Sequence, residues 1–146
     1  MATRTETAAL RDAIAAARGA KAAGHAAFAA AVVVGDEVVA WGLNEVHRHG
    51  DPSRHAEVVA LAAAKAVRRD LTAASLVSTM QPCEMCLAAM RWAGVSRLVF
   101  AVRQDSVGEG FFQFGGLSLA DFHRAASGSF EHLGGHLEGE ALDLYA

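Results

Sequence analysis

His55-Ala56-Glu57 is followed, one predicted strand later, by Pro82-Cys83-Glu84-Met85-Cys86. Each stretch opens a run of helix formers: His55 to Arg69, marked by Val58, Val59, Leu61 and Val67, and Cys83 to Ala93, which stops at Gly94. Pro82 precedes the second helix, so Cys83 and Cys86, three apart, share one face of its first turn and can reach one ion. The unpaired amides and positive dipole end found there lower a thiol's pKa and favour the thiolate that a metal needs. His55 opens the preceding helix in the same manner. In a parallel sheet, successive helices start at the edge where the strands end, so the three ligands converge. Three ligands leave one tetrahedral position open, which separates a catalytic zinc from a four-ligand structural one. One zinc ion per chain is therefore expected, held by His55, Cys83 and Cys86, with water in the open position. Two thiolates blunt the ion's effect on the pKa of that water, and a nearby base is then needed. Glu57, in the same first turn as His55, can accept the proton without serving as a ligand.

Outward from this pair of helices the chain keeps a regular alternation. Thr5 to Ala23 reads as an amphipathic opening helix, with alanine and leucine set among Arg11, Asp12, Arg18 and Lys21. Phe28 to Val34 and Val38 to Leu43 are β-branched runs joined by Gly35-Asp36-Glu37, a hairpin. Leu76 to Ser78 and Val95 to Val102 read as strands, which makes the order αββαβαβ. Strands alternating with helices after a hairpin imply parallel crossovers and a mixed sheet covered on both faces, a three-layer α/β/α sandwich. Beyond Arg103 the pattern weakens: Gly108 to Gly116 mixes glycine with phenylalanine, and short helices are expected over Ser118 to Ala126 and Leu137 to Tyr145.

Composition bounds the function. A chain of 146 residues, 53% hydrophobic and 20% charged, is expected to form a single domain over 1–146. Its alanine-rich stretches favour helix but are not apolar enough to cross a membrane. Met1 to Arg11 lacks the apolar run of a secretory signal, and a cytoplasmic location is expected. In a reducing compartment, two nearby cysteines point to metal or thiol chemistry rather than a disulfide. The net charge of −3, with 13 basic residues scattered along the chain, lacks the basic stripe of a nucleic-acid binder. A small-molecule substrate is expected.

Taken singly, the motifs are ambiguous. His-x-Glu arises often by chance, and a lone CxxC also occurs as a redox pair, half of a structural zinc site or two buried thiols. The ordered combination of His-Ala-Glu, strand and Pro-Cys-x-x-Cys is far more specific. It resembles the cytidine-deaminase-like superfamily. The resemblance spans roughly residues 5 to 105 and implies the α/β/α sandwich with a mixed five-stranded sheet. Asn44-Glu45-Val46, Asp51-Pro52, His55 to Val58 and Cys86 to Ala93 are similar to the branch of bacterial guanine deaminases and cytosine deaminases. That branch implies an activated water attacking the ring carbon that bears an amino group, while Glu57 carries protons to the ring nitrogen and to departing ammonia. It further implies that Asn44 hydrogen-bonds the substrate, the Ala56 backbone amide helps hold it, Phe28 packs on the ring and Trp92 shields the site. The branch commonly dimerises, so a homodimer is expected.

The chain departs from that pattern in places. Ala27-Phe28-Ala29-Ala30 keeps only the aromatic of the usual first-strand motif, and Gln81 replaces the usual glutamate before Pro82. Guanine deaminases of this type place acidic residues after a Gly-Phe matching Gly110-Phe111, where they read the guanine edge. Here Phe112-Gln113-Phe114 follows instead, leaving Glu109 or Glu138 as stand-ins. Phe111, Phe112 and Phe114 fit either an aromatic lid or plain packing, and His47 and His49 read as solvated loop residues. Tyr145 lies where a tail can close over the site. Three functions remain open: an aminohydrolase of a free guanine-, cytosine-, isocytosine- or triazine-type ring, a tRNA adenosine deaminase, or a non-catalytic zinc-stabilised interaction domain. The second requires phosphate contacts from residues such as Arg48, Arg54, Arg91 and Arg103.

Overall fold

Thr3 begins the first helix by a reciprocal cap: its hydroxyl accepts the Glu6 N–H, and Glu6 accepts the Thr3 N–H. The computed structural model, which describes Met1 to Ala146, runs this helix, α1, over Arg4–Ala22. Ala9, Leu10, Ala13, Ile14 and Ala17 form its buried stripe. The hairpin follows as β1 (Ala29–Val34) and β2 (Glu37–Leu43), turning at Gly35 with φ +60°. A one-turn helix α2 (Val46–His49) leads to α3 (Ala56–Val67), β3 (Ala74–Met80), α4 (Glu84–Trp92) and β4 (Arg97–Val102). A 3-10 turn at Gln104–Ser106 precedes α5 (Leu119–Ala125), β5 (Glu131–Leu133) and α6 (Glu138–Ala141), which continues as a 3-10 turn over Leu142–Tyr145.

The sheet order is β2-β1-β3-β4-β5, with β1 antiparallel to β2 and β3, and with β3, β4 and β5 mutually parallel. The mixed five-stranded sheet matches expectation, but its last strand is one that the residue pattern does not announce. Alternation along the strands divides the core in two. Ala30, Val32, Leu76, Leu98 and Phe100 face Ala60, Leu61, Leu87 and Met90 of α3 and α4. Ala31, Val33, Val77, Val99 and Ala101 face Leu10, Ala13 and Ile14 of α1 together with Ala141 and Leu144. Both faces of the sheet are thus covered, and α/β/α is the resulting layering.

This topology positions the site. β2 and β3 run in the same direction, α3 joins them, and α4 joins β3 to β4, so both helices begin at the C-terminal edge of the strands. Gly42 lets α3 approach β2 closely: a Cβ there would overlap the Ala56 carbonyl and lie 2.6 Å from the Ala60 nitrogen. The longest helix has 19 residues, and no helix is long and apolar enough to cross a membrane.

Candidate metal centre and active site

His55 and Cys83 occupy the N-cap positions of α3 and α4, in extended backbone conformation, and both are half-buried. The preceding loop is tied off where the Glu45 N–H donates to the Arg54 carbonyl at 2.9 Å. Cys86 lies one turn into α4 and is fully buried. The ligand atoms of His55, Cys83 and Cys86 all lie within 4.8 Å of one another. Cys83 Sγ is 3.7 Å from Cys86 Sγ, and His55 Nδ1 is 3.5 Å from Cys83 Sγ and 3.6 Å from Cys86 Sγ. A tetrahedral ion with Zn–S near 2.3 Å and Zn–N near 2.1 Å requires about 3.8 Å between sulfurs and about 3.6 Å between sulfur and nitrogen. The donors therefore fit one zinc ion without rearrangement.

The electrostatics agree. The Cys86 thiol and then the His55 ring hold Cys83 down to about 4, against the opposing effect of burial. Cys86 is pushed up by the Cys83 sulfur and by burial, and His55 is raised chiefly by its contact with Cys83. Two sulfurs competing for one proton are relieved by a cation between them.

Glu57, 5% exposed, stands beside this cradle in the first turn of α3. The Ser78 hydroxyl of β3 donates to its Oε1 at 2.8 Å, and its Oε2 lies 3.3 Å from Cys86 Sγ. Burial raises its pKa above the usual carboxylate range. A pocket of about 70 Å³ opens on these groups, lined by Phe28, Asn44, His55, Glu57, Met80, Gln81, Cys83 and Phe111. Asn44 Oδ1 accepts the Val46 N–H at 3.1 Å, which leaves its Nδ2 donors for a ligand. Ala56 is the first residue of α3, where the backbone N–H has no intrahelical partner.

Of the residues singled out in the sequence, His55, Glu57, Cys83, Asn44 and Phe28 line one pocket, and Cys86 is buried behind it within reach of His55 and Cys83. Trp92 does not. It ends α4, the helix that Cys83 begins, and is 91% exposed, so within its own chain it cannot shield the site. Among the three loop phenylalanines only Phe111 reaches the pocket, since Phe112 lines a separate cavity and Phe114 points to solvent. Neither acidic stand-in lines the pocket: Glu138 is paired with Arg103 at 2.9 Å, and Glu109 lines the separate cavity. Gln81 now has a physical account. Its Oε1 accepts the Gln104 N–H at 3.1 Å while its Nε2 donates to Gln104 Oε1 at 3.3 Å, a reciprocal pair that a glutamate could not complete.

Two contributions go beyond the sequence reading. Ser78 reads only as strand, and because β3 also buries Ser75 and Thr79, its residue type alone does not single it out. Tyr145 is expected from the resemblance only as part of a tail that can close over the site, without a contact of its own. It stacks on Phe28 with ring centroids 5.2 Å apart, meets Phe111 edge-on at 6.0 Å, and donates its hydroxyl to the Ala27 carbonyl at 2.7 Å. The tail backs the pocket wall of its own chain.

An open three-ligand cradle beside a buried carboxylate, at the strand ends of an α/β/α sandwich, is the arrangement of a metal-dependent hydrolytic site. Residues 3–102 match the cytidine and deoxycytidylate deaminase zinc-binding region, and the chain belongs to that family of zinc-binding deaminases. It is 28% identical to a probable cytosine deaminase of Schizosaccharomyces pombe over 138 residues, covering 91% of this chain and 85% of the relative. It is 33% identical to a tRNA-specific adenosine deaminase of Buchnera aphidicola over 86 residues, 58% of this chain and 53% of the relative. The fold superimposes on a guanine deaminase from Nitrosomonas europaea with a TM-score of 0.81 at 29% identity, covering 99% of this chain and 84% of that one.

Proposed function

We propose that residues 1–146 form one catalytic domain that removes the exocyclic amino group of a free aminated N-heterocycle of the guanine, cytosine, isocytosine or triazine kind. The observation that carries this reading is the small pocket itself, in which the metal cradle, Glu57, Asn44 and an aromatic wall converge. A zinc ion held by His55, Cys83 and Cys86 would supply a water of lowered pKa as the nucleophile. Glu57 carries one proton of that water to the ring nitrogen as the C–O bond forms, and then the second, from the hydroxyl now on the ring carbon, to the amine, which departs as ammonia. Ser78 fixes the carboxylate rotamer, and burial keeps bulk water from taking the proton. The Nδ2 donors of Asn44 and the Ala56 N–H hold ring acceptors, and Phe28 packs on the ring face. The free thiols suit a reducing, cytoplasmic setting.

The tRNA reading asks for free cations near the pocket. Arg48 and Arg54 are both engaged by Glu45, at 3.7 and 3.0 Å, and Arg103 by Glu138. Arg91 is directed at the Ser129 carbonyl. These pairings favour a free ring over a polyanion. A homodimer is part of the same proposal, supported by the apolar residues Met85, Ala88 and Trp92 exposed along α4.

Ammonia release is to be measured on guanine, cytosine, isocytosine, triazines, nucleosides and tRNA, with Glu57→Gln as control. Turnover of a free ring is expected, reduced by at least about 10²–10⁴-fold in the variant with zinc content unchanged. Turnover confined to tRNA, or undiminished in Glu57→Gln, overturns the proposal.

A further inference from the structure

We propose that Glu84 is a positioning residue that clamps the Gly108–Gly116 loop and, through Phe111, restricts the pocket to a single unfused ring. This deepens the deaminase reading above and rests on it. The pocket volume of about 70 Å³ is little more than the share of two waters at about 30 Å³ each, against roughly 300–1,000 Å³ for pockets that take drug-sized ligands. Seven of its eight lining residues lie in or next to a helix or strand. Phe111 alone comes from a long stretch without either, between the 3-10 turn at Gln104–Ser106 and α5. Gly110, with φ +112°, makes the turn that leads into Phe111. Phe111 then meets Phe28 at 6.2 Å and Tyr145 at 6.0 Å, both edge-on.

Beyond the packing of Phe111, that stretch is hydrogen-bonded to a distant element at one place. The backbone N–H groups of Gln113 and Phe114 both donate to Glu84 Oε1, the second at 3.0 Å, and apart from the local turn in which the Leu117 N–H donates to the Phe114 carbonyl, these are the hydrogen bonds that link residues 108–116 to the rest of the chain. Glu84 follows Cys83 directly in α4. The clamp therefore runs from the helix that carries two of the proposed metal ligands to the one pocket wall that belongs to no helix or strand. With it closed, Phe111 is held near Phe28 in the wall of this small pocket, a wall that a fused bicycle would have to displace.

A first-turn glutamate also favours the helix dipole, which is the plain structural role for Glu84. The two roles separate by substitution. Glutamine loses the charge but keeps an oxygen that accepts both N–H bonds, whereas alanine loses charge and acceptor alike.

The test uses the zinc-loaded chain, with zinc per chain measured in every variant. Amide hydrogen exchange at Gln113 and Phe114 is expected to be slow in the wild type and in Glu84→Gln, and fast in Glu84→Ala. The ratio of kcat/KM for guanine over isocytosine is expected to rise roughly tenfold in Glu84→Ala and in Phe111→Ala, and to hold in Glu84→Gln. Equal exchange in the wild type and Glu84→Ala overturns the clamp, and Glu84→Gln behaving as Glu84→Ala does so as well. A lost clamp with an unchanged ratio overturns the specificity role. A wild-type chain that turns over neither ring refutes the deaminase reading instead, and the exchange result then decides the clamp by itself.

Discussion

Glu57 has two carboxylate oxygens with different neighbours, and the difference shows what each side chain around it does. Oε1 takes the Ser78 hydroxyl proton in its hydrogen bond, while Oε2 faces the metal cradle beside Cys86. Ser78→Ala should leave zinc content and folding intact but free the carboxylate to rotate, lowering kcat about tenfold with little change in KM. Wild-type kcat in that variant would mean that the cradle alone positions Glu57. The sequence reading reached Glu57 because its spacing from His55 is fixed by one helical turn. Ser78 lies outside that reading, because its contact with Glu57 depends on how α3 packs on the face of β3, which no spacing along the chain fixes. Trp92 is the opposite case: its role rests on the resemblance alone, and its own position at the end of α4 sets it away from the pocket of its chain.

At the scale of elements, helices and the hairpin were legible because periodicity and breakers mark them, while β5 was not. Its three residues include exposed Glu131 and His132, and it pairs only because β4 leaves an edge open beside it. The metal site was legible because it needs only the starts of α3 and α4 at a common sheet edge. The outer face of α4 carries a second message, since Met85, Ala88 and Trp92 follow at helical spacing and all face solvent. Buried against a second copy, this stripe would account for a tryptophan left 91% exposed. Trp92→Glu is expected to shift the chain from dimer to monomer in sedimentation velocity at micromolar concentration. A wild-type chain that already sediments as a monomer sinks that expectation.

At the scale of the whole molecule, a charge network centred on one buried carboxylate ties α1 to the β4–β5 edge of the sheet. Glu6 of α1, 3% exposed, accepts from Arg97 Nε at 2.7 Å, and Arg97 Nη1 reaches Glu131 of β5 at 2.8 Å. Burial alone would raise Glu6, but the hydrogen bonds from Arg97 and Thr3 overcome it and hold the carboxyl at about 2 rather than the usual 4.5. A depressed folded pKa means that the unfolded chain binds the proton more readily. The stabilisation is therefore complete above about pH 4.5 and is lost as pH falls toward 2. The shift corresponds to about 3 kcal/mol. Glu6→Gln should lower stability at pH 7 by about that amount and should flatten the fall in stability between pH 4.5 and 2. Urea unfolding of wild type and variant at several pH values across that window measures it, and the difference between the two chains removes the acid-driven loss of zinc that both share. Parallel stability curves would show that Glu6 is held by packing of α1 rather than by its charge.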